Sequence, residues 1–268
     1  MLAVAALAAM VLLAAARLAP SDAAHAQERA RLAYAVDLTG DREIDQRAEL
    51  TLDEALREAR KRRAAMLIVR LDTPGGSGGP MRRMARDIVR ARMPVIVYVP
   101  NGGRAASAGL FLTLASDVAA MAPQANIGSA SPVASGFVPD PTLARKVLND
   151  SVAFARALAE SRGRNADLAE RMVRRADNVT ARVAKRADLI EVVARSERTL
   201  LEKLDGFRVR GPKRQTLRTA GLHVEQHRED PVLADQSGSL PWYLSPPGAL
   251  ALLLTIAAVV AVVVGLRR

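Results

Sequence analysis

The chain has 268 residues, 39 basic against 28 acidic, with no cysteine and only 3% aromatic residues. Without cysteine there is neither a disulfide framework nor a thiol nucleophile, and so few rings offer no base-stacking platform. The formal charge of +11 comes from 34 Arg and 5 Lys scattered through helices such as EALREARKRRAA; with no basic tract, this argues against nucleic acid and for a solvated surface that also suits an anionic membrane.

Residues 1 to 16 are almost unbroken Ala, Leu, Val and Met, and AAHAQ at 23 to 27 places small residues at −3 and −1 of a cut after Ala26. Residues 1 to 26 therefore read as a signal peptide, although no positively charged segment precedes the apolar run. RLAYAVDL (31 to 38) is a strand. A helix is expected from Thr51, with Glu54 completing a capping box, to about Arg63. AMLIVRLD (65 to 72) is mostly apolar, as in a strand covered on both faces, and ends in the loop TPGGSGGP. A helix over 81 to 92, a strand MPVIVYVP (93 to 100), a helix over about 105 to 116 and a short strand VAAMA (118 to 122) follow.

Two more helices are expected over 141 to 161 and 166 to 176, then a strand DLIEVVA (188 to 194) and a helix in SERTLLEKLDG that stops at Gly206. Strands alternating with helices make this an α/β domain with a largely parallel sheet. Residues 211 to 247 have the composition of a polar stalk. GALALLLTIAAVVAVVVGL (248 to 266) is nineteen uncharged residues long, preceded by Trp242 and Tyr243 and followed by Arg267 and Arg268. That is a transmembrane helix with its carboxyl end in the cytoplasm, so residues 27 to 245 are expected outside it.

Two Gly-rich loops, DTPGGSGGP and NGGRAASAG, follow apolar strands and should meet at the carboxyl edge of a parallel sheet. Neither is a Walker loop nor a G-x-G-x-x-G fingerprint. Ser107 stands at a helix start among small neighbours, where the Ala108 amide and amides near Gly75 and Gly76 could receive an oxyanion. A simple helix cap and a phosphate-binding loop are the competing readings. A serine nucleophile needs a base. His25 falls at the signal, and His223 and His227 fall in the expected stalk; arginine stays protonated. Of the lysines, Lys61 lies on a basic helix end and Lys203 and Lys213 come late. Lys146, with Arg145 beside it, is favoured over Lys185, and an ordinary solvent-facing lysine is the alternative for either.

The ordered segments LDTPGG, ARMPVIVYVPNGGRAASAG, ASDVAAMAPQANIGSASPV, RKVLND, ESRGRNADLAERMV and LLEKLDG resemble the membrane-bound ClpP-class serine proteases of the NfeD family over residues 31 to 210. More distantly the chain resembles signal peptide peptidase A and the ClpP/crotonase superfamily. The resemblance implies a ClpP-like spiral of ββα units over residues 27 to 210 and a Ser–Lys dyad without metal or cofactor. It puts the nucleophile on Ser107, the base on Lys146, and the oxyanion donors on Gly75, Gly76 and Ala108. It implies a serine endopeptidase acting on hydrophobic segments of stomatin-like membrane proteins from the extracytoplasmic (periplasmic) side, and a homo-oligomer is expected. TARVAKRADLIE departs from the family's acidic, Gly-bearing stretch, and longer members continue into further transmembrane helices and a β-barrel. A non-proteolytic scaffold that pairs with a stomatin-like protein is the alternative; acyl-CoA chemistry fits an exported chain less well.

Overall fold

The computed structural model describes residues 32–132 and 140–228. The expected signal peptide (1 to 26) and transmembrane run (248 to 266) lie outside them, and among the described residues no helix is long and apolar enough to cross a membrane.

The elements in chain order are β1 (Leu32–Leu38), α1 (Gln46–Lys61), β2 (Met66–Leu71), α2 (Gly78–Arg90), β3 (Val95–Val99), β4 (Arg104–Ala106), α3 (Ala108–Ala115), β5 (Val118–Met121) and β6 (Asn126–Gly128). Then come α4 (Pro141–Ser161), α5 (Ala166–Arg174), β7 (Asn178–Thr180), α6 (Ala181–Arg186), β8 (Val192–Val193), α7 (Glu197–Leu204) and β9 (His223–Gln226). Six strands form one sheet in the order β8-β5-β3-β2-β1-β9, every neighbouring pair parallel. β4, β6 and β7 form a smaller sheet beside it, parallel between β4 and β6 and antiparallel between β6 and β7.

The strands are apolar without alternation because both faces are covered. Tyr34, Val36, Leu67, Val69, Val95 and Val97 face a core built with α1 to α6. Ala33, Ala35, Met66, Ile68, Ile96 and Tyr98 face a second core built with Leu200, Leu204, Val209 and Leu217. Each large side chain so buried contributes about 1.5–3 kcal/mol to folding.

Several expectations shift: the helix expected from about 105 starts at Ala108 after β4, and the strand expected over 188 to 194 shortens to Val192–Val193. α1 starts at Gln46, five residues before Thr51, because Asp45 caps it by accepting from the Ala48 amide at 2.9 Å. Thr51 is buried inside the helix, where its hydroxyl accepts from Arg42 at 3.1 Å. α2 likewise begins at Gly78, ahead of Met81. The segment after Gly211, expected as stalk, returns to the sheet: β9 pairs with β1 from Leu32↔His223 to Ala35↔Gln226, and the compact unit reaches His227.

Asp205 holds that returning segment. Its carboxylate accepts from the amides of Thr219 (2.8 Å) and Ala220 (3.1 Å), and the Thr219 bond above all, then that of Ala220, keeps its pKa below the usual carboxylate range. A depressed folded-state pKa means this contribution is full above the unfolded value of about 3.9 and is lost as pH falls through the folded one. Below about pH 4 the protection of the Thr219 and Ala220 amides against deuterium exchange, measured relative to their intrinsic rates, should therefore fall. Asp205→Asn should remove that pH dependence, and an unchanged profile in the variant would count against the assignment.

Candidate active site

The loops after β1, β2 and β3 meet at the carboxyl edge of the large sheet. Thr73 donates its amide to the Arg104 carbonyl at 2.8 Å and accepts from the Ala106 amide at 3.2 Å, joining the β2 loop to β4. Asp72 accepts from the Arg104 amide at 2.9 Å. Ile44 donates to the Gly75 carbonyl at 2.7 Å and accepts from the Ser77 amide at 2.8 Å, which ties in the loop after β1. The expectation that both Gly-rich loops face one crevice is met.

Ser107 joins β4 to α3. Its φ of 50° and ψ of −112° belong to the first central residue of a type II′ turn, ground that glycine favours. The turn is imposed from both sides: the Ser107 amide donates to the Gly128 carbonyl at 2.9 Å, and its carbonyl accepts from the Leu110 amide at 3.1 Å. Gly109 packs so closely that a Cβ there would lie 2.7 Å from the Thr73 methyl. The Ser107 hydroxyl makes no hydrogen bond among the described residues and does not cap its own helix. That removes the main reason to read it as a structural cap.

A pocket of about 300 Å³ opens on this hydroxyl. Gly76 and Ala108 line it, and neither amide has a hydrogen-bond partner among the described residues. Two free N–H groups beside a nucleophile can hold a tetrahedral oxyanion. Gly75 differs from the expectation, because its amide donates to the Thr73 hydroxyl at 3.1 Å. Its contribution is steric: a Cβ at 75 would stand 2.6 Å from the Ser107 Cβ and 3.0 Å from its Oγ.

Met81, Phe111 and Val147 give the pocket apolar walls, and Arg82, Asp150 and Ser151 give it a polar side. Arg82 pairs with Asp150 and lies 4.5 Å from the Phe154 ring centre, while Phe154 stacks on Phe111 at 5.7 Å. Phe111 stands four residues after Ser107, so the stack docks α4 onto the serine's helix. Lys146 is on the exposed amino-terminal half of α4, next to the pocket residue Val147, and its side chain is not part of the pocket wall. The structure thus assembles Ser107, Gly75, Gly76 and Ala108 and leaves Lys146 beside them. Lys185 is exposed on α6.

Sequence reasoning missed the far end of α3. Arg162 and Arg164, which follow α4, bury their guanidiniums against the carbonyls of residues 113 to 116. They fall in ESRGRNADLAERMV, one of the segments that carry the family resemblance, but nothing in its periodicity says that their side chains turn inward.

Fold and site together define a two-sided parallel α/β domain with a half-buried serine at a strained strand-to-helix turn, its hydroxyl and two amides without hydrogen-bond partners among the described residues. The chain belongs to the NfeD1b family, whose N-terminal domain matches residues 34–200. It is 34% identical over 209 residues to the membrane-bound protease PH1510 of Pyrococcus horikoshii, covering 76% of this chain and 46% of that protein, so it spans about half the length of that relative. Among solved structures, a serine-to-alanine variant of the 1510-N membrane-bound stomatin-specific protease superposes with a TM-score of 0.69 at 30% identity, covering 75% of this chain and 99% of the other. A lysine-to-alanine variant of that protease in complex with a substrate peptide gives 0.69 at 30% identity, covering 75% and 94%. The 1510-N protease specific for a stomatin homologue from Pyrococcus horikoshii gives 0.63 at 29%, covering 76% and 98%.

Proposed function

We propose that this chain is a membrane-anchored serine endopeptidase that uses Ser107 as nucleophile and Lys146 as base, and that it cuts apolar segments of stomatin-like membrane proteins. The observation that carries the reading is the unpartnered Ser107 hydroxyl, held at φ 50° beside the free amides of Gly76 and Ala108 in one pocket. The family's substrate-bound variant at a lysine, and its variant at a serine, support it. In the first step the Lys146 amine takes the Oγ proton as the Ser107 oxygen bonds to the scissile carbonyl carbon, and the new oxyanion is received by the Gly76 and Ala108 amides. The lysine then protonates the leaving amine as the C–N bond breaks; next, the neutral lysine takes a proton from water as it attacks the acyl carbon, and returns it to Ser107 Oγ as the Oγ–C bond breaks and the acid leaves. Val147, Asp150 and Ser151 bring α4 to the pocket wall, and in this reading Lys146 reaches Ser107 on its four-carbon stem when substrate binds.

The finer architecture belongs to the same proposal: a ClpP/crotonase-like spiral of ββα units, a signal peptide over 1 to 26, and a transmembrane helix over 248 to 266. The catalytic domain then faces the periplasm, and the chain works as a homo-oligomer. The test uses the full-length chain in detergent with a peptide taken from the apolar segment of a stomatin-like protein. Ser107→Ala and Lys146→Ala should each lower kcat/KM by at least about a thousandfold. Cleavage that survives both changes would overturn the dyad, and an intact wild type that captures the partner without cutting it would favour a scaffold.

A further inference from the structure

α3 is buried along its whole length, so no water is available to its last carbonyls. Two arginines replace that water. Arg164 Nη1 donates to the Thr113 (3.1 Å) and Leu114 (2.7 Å) carbonyls. Arg162 donates from Nε to the Ser116 carbonyl at 3.1 Å and from Nη2 to the Ala115 carbonyl at 3.0 Å. Arg164 is neutralised by Glu191 through bonds of 2.9 and 2.8 Å. Asp117, by contrast, is shared: it pairs with Lys213 and takes the Val95 amide at 2.8 Å, leaving Arg162 a longer contact at 3.4 Å.

Among the described residues, two buried arginines and the half-buried Lys213 thus face two carboxylates, and Arg162 has the weakest share of them. Its Nη1 has no hydrogen-bond partner among the described residues, and burial pulls its pKa below the usual arginine value. Buried charges in excess of their partners generally cost stability. The loop over Arg162 is also shaped around it, since a Cβ at Gly211 would come within 3.3 Å of that same nitrogen. What the cation does supply lies on α3: it offsets the negative pole of the helix whose positive pole faces Ser107, and it fixes the helix along its axis.

We propose that Arg162, supported by Arg164, is a positioning residue for the chemistry at Ser107, acting through the carboxyl end of α3. The inference rests on the protease reading above. A small axial slip of α3 moves the Ala108 amide and the Ser107 oxygen together relative to Gly76, which sits on a different loop. Displacements of that kind cost transition-state stabilisation and leave ground-state binding in the pocket nearly untouched.

The experiment compares wild type, Arg162→Met and Arg162→Lys as full-length chains in detergent. Active sites are counted by fluorophosphonate labelling carried to completion, kcat and KM are measured on the peptide substrate, and melting is followed in parallel. Arg162→Met leaves the buried Ala115 and Ser116 carbonyls unpaired and should melt lower than wild type, but the molecules that fold should show kcat per labelled site about tenfold lower and KM within about twofold. Arg162→Lys, which keeps the charge but not the fork, should recover only part of the loss, with kcat per site about threefold below wild type. A merely structural role would lower the melting temperature and the number of sites and leave kcat per site unchanged. If the Met variant does not fold, the Lys variant decides alone, because wild-type kcat per site in it overturns the inference. A wild type that cleaves, paired with unchanged kcat in Arg162→Met, overturns the inference only. A wild type that neither labels nor cleaves overturns the protease reading and this inference with it.

Discussion

Ser107→Gly is expected to melt about 2–4 °C above the wild type while losing cleavage and fluorophosphonate labelling by at least about a thousandfold. The two effects have one cause. At φ 50° and ψ −112° the Ser107 Cβ is strained, a condition that costs on the order of 1–3 kcal/mol and persists only where the surroundings enforce it. Glycine adopts these angles freely, so it releases the strain and loses part of the gain to its larger unfolded-state entropy, leaving about 1 kcal/mol. Ser107→Ala is the control: it lacks the same oxygen but keeps the Cβ, so it should melt with the wild type. A glycine variant less stable than the alanine variant would show that the turn is not strained. A serine kept where glycine is the more stable choice is a site where stability is given up for chemistry.

The elements that sequence made legible are those whose own residues carry a long signal. β3 is a continuous apolar run and β2 an apolar run broken only by Arg70, both covered on both faces, and α4 announces itself with Asp140 as cap and Pro141 at its first position. The three-residue strands β6 and β7 are too short for any periodicity, and they exist because Gly128 can close on Asp177, where a Cβ would meet the carbonyl oxygen at 2.1 Å. β9 reads as a polar stalk because only Val224 along it packs on the core, as befits an edge strand whose support is the β1 backbone.

The site divides in the same way. The loops that carry Gly75, Gly76, Ser107 and Ala108 were visible as Gly-rich ends of apolar strands, since the carboxyl edge of a parallel sheet brings such loops together by topology. Which glycine gives an amide and which gives space was not visible, because it depends on the Thr73 hydroxyl occupying the Gly75 N–H. The arginines behind α3 were invisible for a different reason. Arg162 and Arg164 look like their surface neighbours until the chain reversal at Gly163 turns both guanidiniums into the core, against a helix about fifty residues earlier.

Gly76→Ala is the second large effect. Gly76 sits at φ 150°, in the range L residues rarely adopt, and an added Cβ would stand 2.3 Å from the Ile44 carbonyl oxygen and 2.5 Å from its nitrogen. Ile44 is fully buried and holds both Gly75 and Ser77 by backbone bonds, so it cannot retreat without opening the crossing of the β1 and β2 loops. The alanine variant should lose about 2–4 kcal/mol of stability. In the molecules still folded, the amide at 76 must turn away from the pocket, and kcat should fall a further hundredfold or so, the usual cost of one oxyanion donor. Gly78→Ala separates these effects from any general intolerance of the loop. Gly78 lines the same pocket two residues on, but a Cβ there meets nothing within 4 Å, and it opens α2. That variant should fold as well as wild type or up to about 1 kcal/mol better, with full labelling. Equal losses at 76 and 78 in urea melts and labelling would contradict the assignment of the Gly76 amide, because only position 76 combines a backbone collision with a free N–H facing Ser107.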